Sequence, residues 1–351
     1  MTTVVVGAGA IGLLVAGRLA AAGEEVMVVA RTSTGALRQG VTVIPREPAA
    51  PASAVAVQMA TLTDIPRSLR GAHVVLAVKG YQTAGALPAL HALEPQSVLT
   101  LQNGLGNEEI LIGALGAERV TAGIITASVE VRDGATVALR REGGIGIAPT
   151  GAEATGDPSG VDGWRRLLRG AFRTRVYDDF RAMKWSKALL NILGNGTPAV
   201  LNWDVGRVYR ERRLVELERE IFREALRTMR ALGLKPVDVP GYPVRLLAAA
   251  MERLPLAALR PLLVRVMGQG RGGKAPSLLL DLQRGRRESE AETLYGAIAR
   301  VAAGAGVAAP ANAVLCDLLL GIAGGSVDRE AWADRPERLL AAVRERVGGI
   351  S

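Results

Sequence analysis

Short, continuous apolar runs recur along the first half of the chain, and glycine or polar residues follow most of them. Runs of this kind are typical of strands that are buried on both faces of a parallel sheet. They cover residues 3–6, 26–29, 41–44, 73–78, 97–102, 120–128 and 145–148. Helical segments separate several of them, so the pattern predicts an α/β domain with a doubly wound sheet, that is, a Rossmann fold.

Beyond about residue 176 the apolar positions take on helical spacing. Helices are predicted over residues 181–193, 209–232, 244–267, 277–284, 290–303, 311–320 and 328–347, with glycine and proline residues between them. We therefore predict two domains, a Rossmann domain over residues 1–178 and an all-α domain over residues 179–351.

The composition argues against several classes of protein. The chain has a net charge of +9, but its basic residues are scattered among acidic ones and aromatic residues make up only 3%, so we expect no nucleic-acid partner. The apolar stretch over residues 4–23 is interrupted by Arg18 and has no basic segment before it, so we expect no signal peptide and no membrane partner. With one cysteine and two histidines we expect no intramolecular disulfide, no metal and a cytoplasmic location.

The first predicted strand runs into the sequence Gly7-x-Gly9-x-x-Gly12, and an apolar helix follows it. In this context Gly7 permits a tight turn, Gly9 lets the backbone approach a pyrophosphate, and Gly12 allows close packing of helix on strand. Ala10 and Ile11 would open the helix, whose backbone N–H groups face the phosphates. The motif predicts a dinucleotide site.

The end of the second predicted strand indicates which dinucleotide is bound. Sites specific for NAD place an acid there to bind the ribose 2′-hydroxyl, whereas this strand ends in Val29-Ala30-Arg31. Arg31 could pair with a 2′-phosphate instead. We therefore expect NADP(H), the alternative being that Arg31 is simply solvated.

Lysine and asparagine are scarce in this arginine-rich chain, and they concentrate in a few segments. Lys79 and Asn103 follow predicted strands, at the edge where open α/β sheets bind ligands. Lys79 could place positive charge beside a cofactor or substrate, and Asn103 could hydrogen-bond the nicotinamide ribose or the substrate. A solvated lysine and an ordinary Asn-Gly turn are the alternatives.

A helix predicted over residues 181–193 carries Lys187 and Asn191, and Asn195 follows with the same spacing. At about 100° per residue the two asparagines lie roughly 40° and 80° around the helix from the lysine. Such a face could bind a carboxylate and hydroxyls while the lysine donates a proton. Lys184 could replace Lys187 as the acid if the helix were rotated, and Asn195 could instead be a helix cap.

These segments together resemble the ketopantoate reductase (2-dehydropantoate 2-reductase) family. The matching sequences, in family order, are Gly7-x-Gly9-x-x-Gly12, Val78-Lys79 with Gln82, Gln102-Asn103-Gly104-Leu105-Gly106-Asn107, Trp185-x-Lys187-x-x-x-Asn191-x-x-x-Asn195, and Ser277-x-x-x-Asp281 followed by Arg284-Gly285-Arg286. They extend over about residues 3 to 312.

The resemblance implies an oxidoreductase that reduces 2-dehydropantoate to pantoate with NADPH, in pantothenate and coenzyme A biosynthesis. It implies an all-α second domain like the C-terminal domain of 6-phosphogluconate dehydrogenase. Lys187 would be the general acid, and the substrate contacts would be Asn103, Asn191, Asn195 and Ser277. The expected cofactor contacts are Gly7, Gly9, Ala10, Ile11, Gly12, Arg31, Lys79, Gln82 and Asn103.

The family's second catalytic residue is a glutamate after the Arg-Gly-Arg turn, and this chain offers two candidates. Counting back from Gly296 selects Glu290, whereas counting forward from Asp281 reaches Ser289, beside Glu288. We expect Glu290 to have this role.

The chain departs from the family pattern at two expected substrate-contact asparagines. One is replaced by Lys274 and the other by Val205, with Asn202 nearby as a substitute. These changes keep open a related reductase of another branched or hydroxylated 2-keto acid, and a non-catalytic NADP(H) sensor is a further alternative. The long helices over 209–232 and 244–267 have apolar faces that would suit either the core or a homodimer interface.

Overall fold

The computed structural model describes residues 2–31, 40–45, 54–151, 160–270 and 275–348, with side chains as far as Arg265 in the fourth of these ranges. The chain divides into two compact units. The first unit comprises Met1–Gln102, Gly106–Lys184 and Val239–Tyr242, and the second comprises Asn103–Leu105, Trp185–Asp238 and Pro243–Ser351. Lys274 lies outside the described residues.

The first unit contains all the strands of the described residues. They are β1 (Thr3–Val6), β2 (Val26–Ala30), β3 (Val41–Ile44), β4 (Ala54–Val55), β5 (Gln58–Thr61), β6 (His73–Leu76), β7 (Ser97–Thr100), β8 (Val120–Ile125), β9 (Ser128–Asp133), β10 (Thr136–Arg141), β11 (Gly144–Pro149) and β12 (Arg173–Val176) among the described residues. The helices of this unit are α1 (Ala10–Ala21), α2 (Thr83–Leu93), α3 (Asn107–Leu115) and α4 (Val161–Leu168).

Eight strands form the main sheet, in the order β12-β11-β8-β7-β6-β1-β2-β5. All neighbouring pairs are parallel except β11 with β8, which is antiparallel. Successive residues of β1 pack on opposite faces: Val5 lies in one core cluster with Leu13 of α1, and Val4 lies in the other with Leu90 of α2. Because both faces are covered by helices, the strands are continuous apolar runs. The predicted Rossmann fold is confirmed.

A second sheet, of order β4-β3-β10-β9, was not predicted. The run over residues 41–44 was expected in the main sheet, but as β3 it pairs with β10 and β4 instead. Gly17 of α1 permits this placement, because a Cβ at Gly17 would lie 2.7 Å from the Val43 side chain and 3.1 Å from that of Val41. The strand therefore packs directly on α1.

The second unit is helical, as predicted. Its helices are α5 (Phe180–Ile192, which begins in the first unit), α6 (Gly196–Leu201), α7 (Val205–Arg210), α8 (Arg212–Ala231), α9 (Val244–Arg253), α10 (Leu256–Gly270), α11 (Ser277–Gln283), α12 (Ala297–Gly304), α13 (Pro310–Gly324) and α14 (Pro336–Gly348). A π-helical segment, Glu292–Gly296, precedes α12.

Two helices that were predicted to be continuous are broken. The helix expected over 209–232 is divided at Glu211, whose ψ of 112° is not helical. The helix expected over 244–267 ends at Arg253 because Pro255 follows Leu254, and proline restricts the residue before it to extended conformations. Leu254 accordingly has a ψ of 140°.

Candidate active site

The glycine turn after β1 has the geometry that a dinucleotide requires. Gly7 has a φ of +115°, and a Cβ there would lie 2.9 Å from the backbone of Ala77. A Cβ at Gly12 would come within 1.8 Å of the Gly7 carbonyl oxygen. At Gly9, by contrast, a Cβ would meet nothing within 4 Å, so the backbone there is open to a ligand. The first and third glycines serve packing, and the middle one leaves room for a phosphate.

Helix α1 begins at Ala10 in a way that leaves its N-terminus available to an anion. No side chain of the described residues caps it, and its first turn has no acidic residue. Gly9 is exposed, and Ala10 and Ile11 are half-buried. The backbone N–H groups and the helix dipole therefore fit the pyrophosphate of a dinucleotide.

Two further predicted cofactor residues lie at the same edge of the sheet. β1 pairs in parallel with both β2 and β6. The residues that follow β2 and β6, Arg31 and Lys79 among them, therefore lie at the same edge of the sheet as the glycine turn. Arg31 is exposed directly after β2. Gln82 also has a local role, because its side-chain oxygen accepts a hydrogen bond of 3.3 Å from the Lys79 N–H. The roles of these three residues toward a cofactor stay predictions.

Lys184 is a buried structural lysine. Its side chain is 3% exposed, and its Nζ lies 2.8 Å from Oε1 of Glu108. Nζ also donates to the Gln102 carbonyl oxygen at 2.7 Å. Burial raises the pKa of the Glu108 carboxyl, and the nearby Lys184 lowers it in part. This arrangement argues against Lys184 as the acid and leaves Lys187, which is half-buried in α5 of the second unit.

Asn191 is hydrogen-bonded to Asn103, and both residues belong to the second unit. Asn191 Nδ2 donates a hydrogen bond of 3.2 Å to Asn103 Oδ1. Asn191 lies one helical turn after Lys187, so both side chains share one face of α5. The structure thus brings together an amide pair next to the candidate acid.

The expectation that Asn195 shares this helix face is wrong. Helix α5 ends at Ile192, and Gly194 takes a φ of +55°, which turns the chain before α6 begins at Gly196. Asn195 is 4% exposed, and its Nδ2 donates to the Asn191 carbonyl oxygen at 3.1 Å. Its Oδ1 accepts from the Leu278 N–H at 3.2 Å, so it caps α11 rather than its own helix.

Ser277, the predicted serine contact, is exposed at the start of α11. Its Oγ lies 3.4 Å from Asn195 Nδ2. Asn103, Asn191, Asn195 and Ser277 therefore form one connected chain of polar groups in the second unit. Because the Asn195 amide is bonded within the protein, its substrate contact is the least supported of the four.

The two candidate glutamates differ in burial: Glu288 is exposed and Glu290 is 4% exposed. The turn that carries Glu290 also contacts the Asn103 loop, since the Leu105 N–H donates to the Thr293 carbonyl oxygen at 2.8 Å. A Cβ at Gly104 would lie 2.6 Å from that same oxygen. This proximity favours Glu290, whose role stays a prediction.

The suggested substitute Asn202 does not join the chain of polar groups. It caps the C-terminus of α6 with a φ of +57°, and its Oδ1 accepts from Arg329 at 2.9 Å. Val205 is buried in α7. Two buried residues next to the turn at Gly194 were not predicted from the sequence: Glu218 and Tyr295.

Within the described residues, no helix combines the length and the apolar character that crossing a membrane requires. Among the same residues, no cluster of three histidine, cysteine or acidic side chains could hold a metal ion.

Two family models match the chain, "Ketopantoate reductase PanE/ApbA" over residues 3–151 and "Ketopantoate reductase PanE/ApbA C terminal" over residues 179–323. The fold and the glycine turn, together with these matches, define a dinucleotide-binding oxidoreductase. The chain belongs to the ketopantoate reductase family.

Relatives of known name agree with this assignment along most of the chain. The 2-dehydropantoate 2-reductase of Archaeoglobus fulgidus is 28% identical over 92% of this chain and 97% of its own. That of Halobacterium salinarum is 29% identical over 91% of this chain and 98% of its own. A ketopantoate reductase structure from Ralstonia eutropha has a TM-score of 0.75 at 26% identity, covering 93% of this chain and 99% of the other. A D-mandelate dehydrogenase solved with NADH and anilino(oxo)acetate shares the fold, with a TM-score of 0.74 at 17% identity over 93% of this chain and 100% of its own.

Proposed function

We propose that this protein reduces 2-dehydropantoate to pantoate with NADPH, a step of pantothenate biosynthesis. The observation that carries the proposal is the chain of polar groups from Asn103 to Ser277, which lies beside the α5 face that bears Lys187. This arrangement offers amides, a hydroxyl and an ammonium group to a small keto acid.

A bound nicotinamide cofactor supplies the hydride that reduces the 2-keto carbon. Lys187, in its protonated form, donates a proton to the oxygen of that carbonyl as negative charge develops there. The amides of Asn103 and Asn191 orient the carboxylate and hydroxyl of the substrate. Glu290 takes the role of the family's second catalytic residue, which is to orient the Lys187 ammonium group.

The proposed preference for NADPH rests on Arg31, which follows β2. A binding site specific for NAD would have an acidic residue at this position. A charge-assisted hydrogen bond to a phosphate contributes about 1.5–3 kcal/mol, or roughly a 10- to 100-fold change in affinity. We expect Arg31→Ala to raise the KM for NADPH about 10-fold or more and to leave the KM for NADH nearly unchanged.

The matched control is Arg119→Ala. Arg119 is another exposed arginine of the same unit, but it lies directly before β8, at the amino ends of the parallel strands, whereas Arg31 follows the carboxyl end of β2. Steady-state kinetics with both cofactors measures the effect. Equal KM values for NADPH in the Arg31 variant and the wild type would show that Arg31 does not bind the 2′-phosphate.

The proposed function is tested by following NADPH and NADH oxidation with and without 2-dehydropantoate. We expect substrate-dependent oxidation, faster with NADPH. Turnover of other 2-keto acids without turnover of 2-dehydropantoate would replace the substrate assignment with the related-reductase alternative. Cofactor binding with no turnover of any 2-keto acid would favour the sensor.

A further inference from the structure

The break between α5 and α6 is a point where the backbone leaves helical conformation inside the protein. Gly194 has a φ of +55°, and Asn195, which precedes α6, has a φ of −123° and a ψ of −57°. A helix end leaves backbone N–H and carbonyl groups without partners inside the helix, so buried ends need other groups to satisfy them. Two side chains from other elements do so here.

The first is Tyr295, which is fully buried. Its hydroxyl donates to the Ile192 carbonyl oxygen at 2.7 Å and accepts from the Gly196 N–H at 2.6 Å. A Cβ at Gly196 would lie 2.7 Å from the tyrosine ring, so the glycine is needed for this approach. One hydroxyl thereby joins the last residue of α5 to the first residue of α6.

The second is Glu218 of α8, which is also fully buried. Its Oε2 accepts from the Gly194 N–H at 2.6 Å and from the Tyr209 hydroxyl at 2.9 Å. A carboxylate oxygen forms strong hydrogen bonds with N–H donors, and such bonds are strengthened where water is excluded. Glu218 therefore fixes the residue at which the chain turns.

Asn195 lies between these two fixed points. Its amide contacts the Asn191 carbonyl oxygen and the start of α11, where Ser277 lies. Tyr295 is also on the π-helical segment that follows Glu290 in sequence, and π-helical turns occur frequently at functional sites. One hydroxyl thus connects the π-helical segment just after Glu290 to the end of the helix that carries Lys187 and Asn191.

We propose that Tyr295 and Glu218 are positioning residues, which hold the turn at residues 192–196 so that Asn191 and Ser277, joined through the buried Asn195, present their polar groups to the keto-acid substrate. This inference rests on the proposed function for its substrate, but the hydrogen bonds that support it are independent of which 2-keto acid is reduced. Neither residue needs to touch the substrate.

The test compares Tyr295→Phe with Thr228→Val as a matched control. Each variant removes one fully buried hydroxyl from the second unit. The Tyr295 hydroxyl contacts the backbone of Ile192 and Gly196, whereas that of Thr228 donates to the Glu224 carbonyl oxygen within α8. Because small misplacements of binding groups cost up to about 100-fold in rate, we expect Tyr295→Phe to lower kcat/KM for the keto acid at least about 10-fold. We expect the KM for NADPH to stay within about twofold, as the predicted cofactor turn lies in the first unit.

A second pair of variants probes Glu218. Glu218→Gln can keep both accepted hydrogen bonds through its amide oxygen, whereas Glu218→Ala removes them. We expect the Gln variant to retain kcat/KM close to the wild type and the Ala variant to lose it as Tyr295→Phe does. An equal loss of kcat/KM in the Gln and Ala variants would overturn the positioning role of Glu218. It would show that the negative charge of Glu218, and not its hydrogen bonds, is needed for activity.

Hydrogen exchange at Gly194 and Gly196 supplies a readout that needs no turnover. Exchange should be faster at Gly196 in Tyr295→Phe and unchanged there in Thr228→Val. Faster exchange with an unchanged kcat/KM for the keto acid would overturn the positioning role of Tyr295, and so would unchanged exchange. A wild type without turnover of any 2-keto acid would instead refute the proposed function, while the exchange result would still report on the turn.

Discussion

Replacing Lys187 with alanine is expected to lower kcat by about 100- to 10,000-fold, which is the usual contribution of a positioned general acid. The reason is that no other proton donor on the α5 face replaces the lost ammonium: Asn191 is an amide and Lys184 is buried against Glu108. The KM for NADPH should change little, because the predicted pyrophosphate contacts are backbone groups of the glycine turn in the first unit. Steady-state kinetics with saturating NADPH measures both quantities.

Lys187→Arg separates the two contributions of the lysine. The guanidinium keeps the positive charge but does not give up a proton at ordinary pH, so kcat should stay low if proton transfer is the role. Lys235→Ala, which removes an exposed lysine of the same unit, is the control and should behave as the wild type. A Lys187→Ala variant with more than about a tenth of wild-type kcat would contradict the assignment of Lys187 as the acid.

Lys184→Met, only three positions away, should have the opposite profile. It removes the partner of a carboxylate that is 2% exposed, and breaking a buried ion pair in this way destabilises proteins by about 3–5 kcal/mol. We therefore expect a large loss in the free energy of unfolding. At temperatures where the variant is folded, kcat should remain within about tenfold of the wild type, whereas loss of a general acid costs at least about 100-fold.

The pH dependence of the Lys184→Met variant follows from Glu108. Burial raises the pKa of this carboxyl, and Lys184 is the side chain that opposes the shift. A carboxyl whose pKa is higher in the folded state than in the unfolded state makes the fold less stable as pH rises from the unfolded value of 4.5 through the folded one. Without Lys184 this loss should be greater, so the variant should be most stable at acidic pH.

Glu108→Gln combined with Lys184→Met completes a double-mutant cycle, because it removes the buried charge together with its partner. The double variant should recover much of the lost stability at neutral pH. Denaturant unfolding at two pH values measures the cycle. Additive effects of the two single changes would show that the pair is not coupled.

These two lysines also differ in how much the sequence alone indicates about them. The resemblance selects Lys187 by its spacing to Asn191, and that spacing is local. The partners of Lys184 are Glu108 and the Gln102 carbonyl oxygen, which lie far earlier in the chain. No pattern around residue 184 indicates them, so only the folded structure separates the buried lysine from the half-buried one.

Asn195 illustrates a different limit. The periodicity argument assumed that α5 continues through residue 195, but the helix ends at Ile192. Gly194 was a visible signal, since glycine is the residue that most readily takes a positive φ at a helix end. The partners that hold the turn, Glu218 and Tyr295, lie on other elements and could not be inferred from the segment itself.

The β9–β10 hairpin, in contrast, could have been predicted. Val129, Val137 and Leu139 alternate with polar or small residues, and Asp133-Gly134 is a typical hairpin turn. These valines and the leucine are buried in the structure. The glycine turn after β1 was predicted from the local spacing of its three glycines, although the Ala77 backbone that Gly7 approaches lies far along the chain.

The three-residue segment Asn103–Leu105 has a consequence for how the protein can be recombined with its relatives. It lies between two stretches of the first unit in sequence, yet it belongs to the second, where Asn103 accepts from Asn191 and Leu105 donates to Thr293. A chimera that joined residues 1–178 of this chain to the helical half of a relative would therefore bring one partner of each hydrogen bond from each parent. Exchanging residues 103–105 together with the helical half would restore matched pairs, so the exchangeable module is the helical half plus this loop.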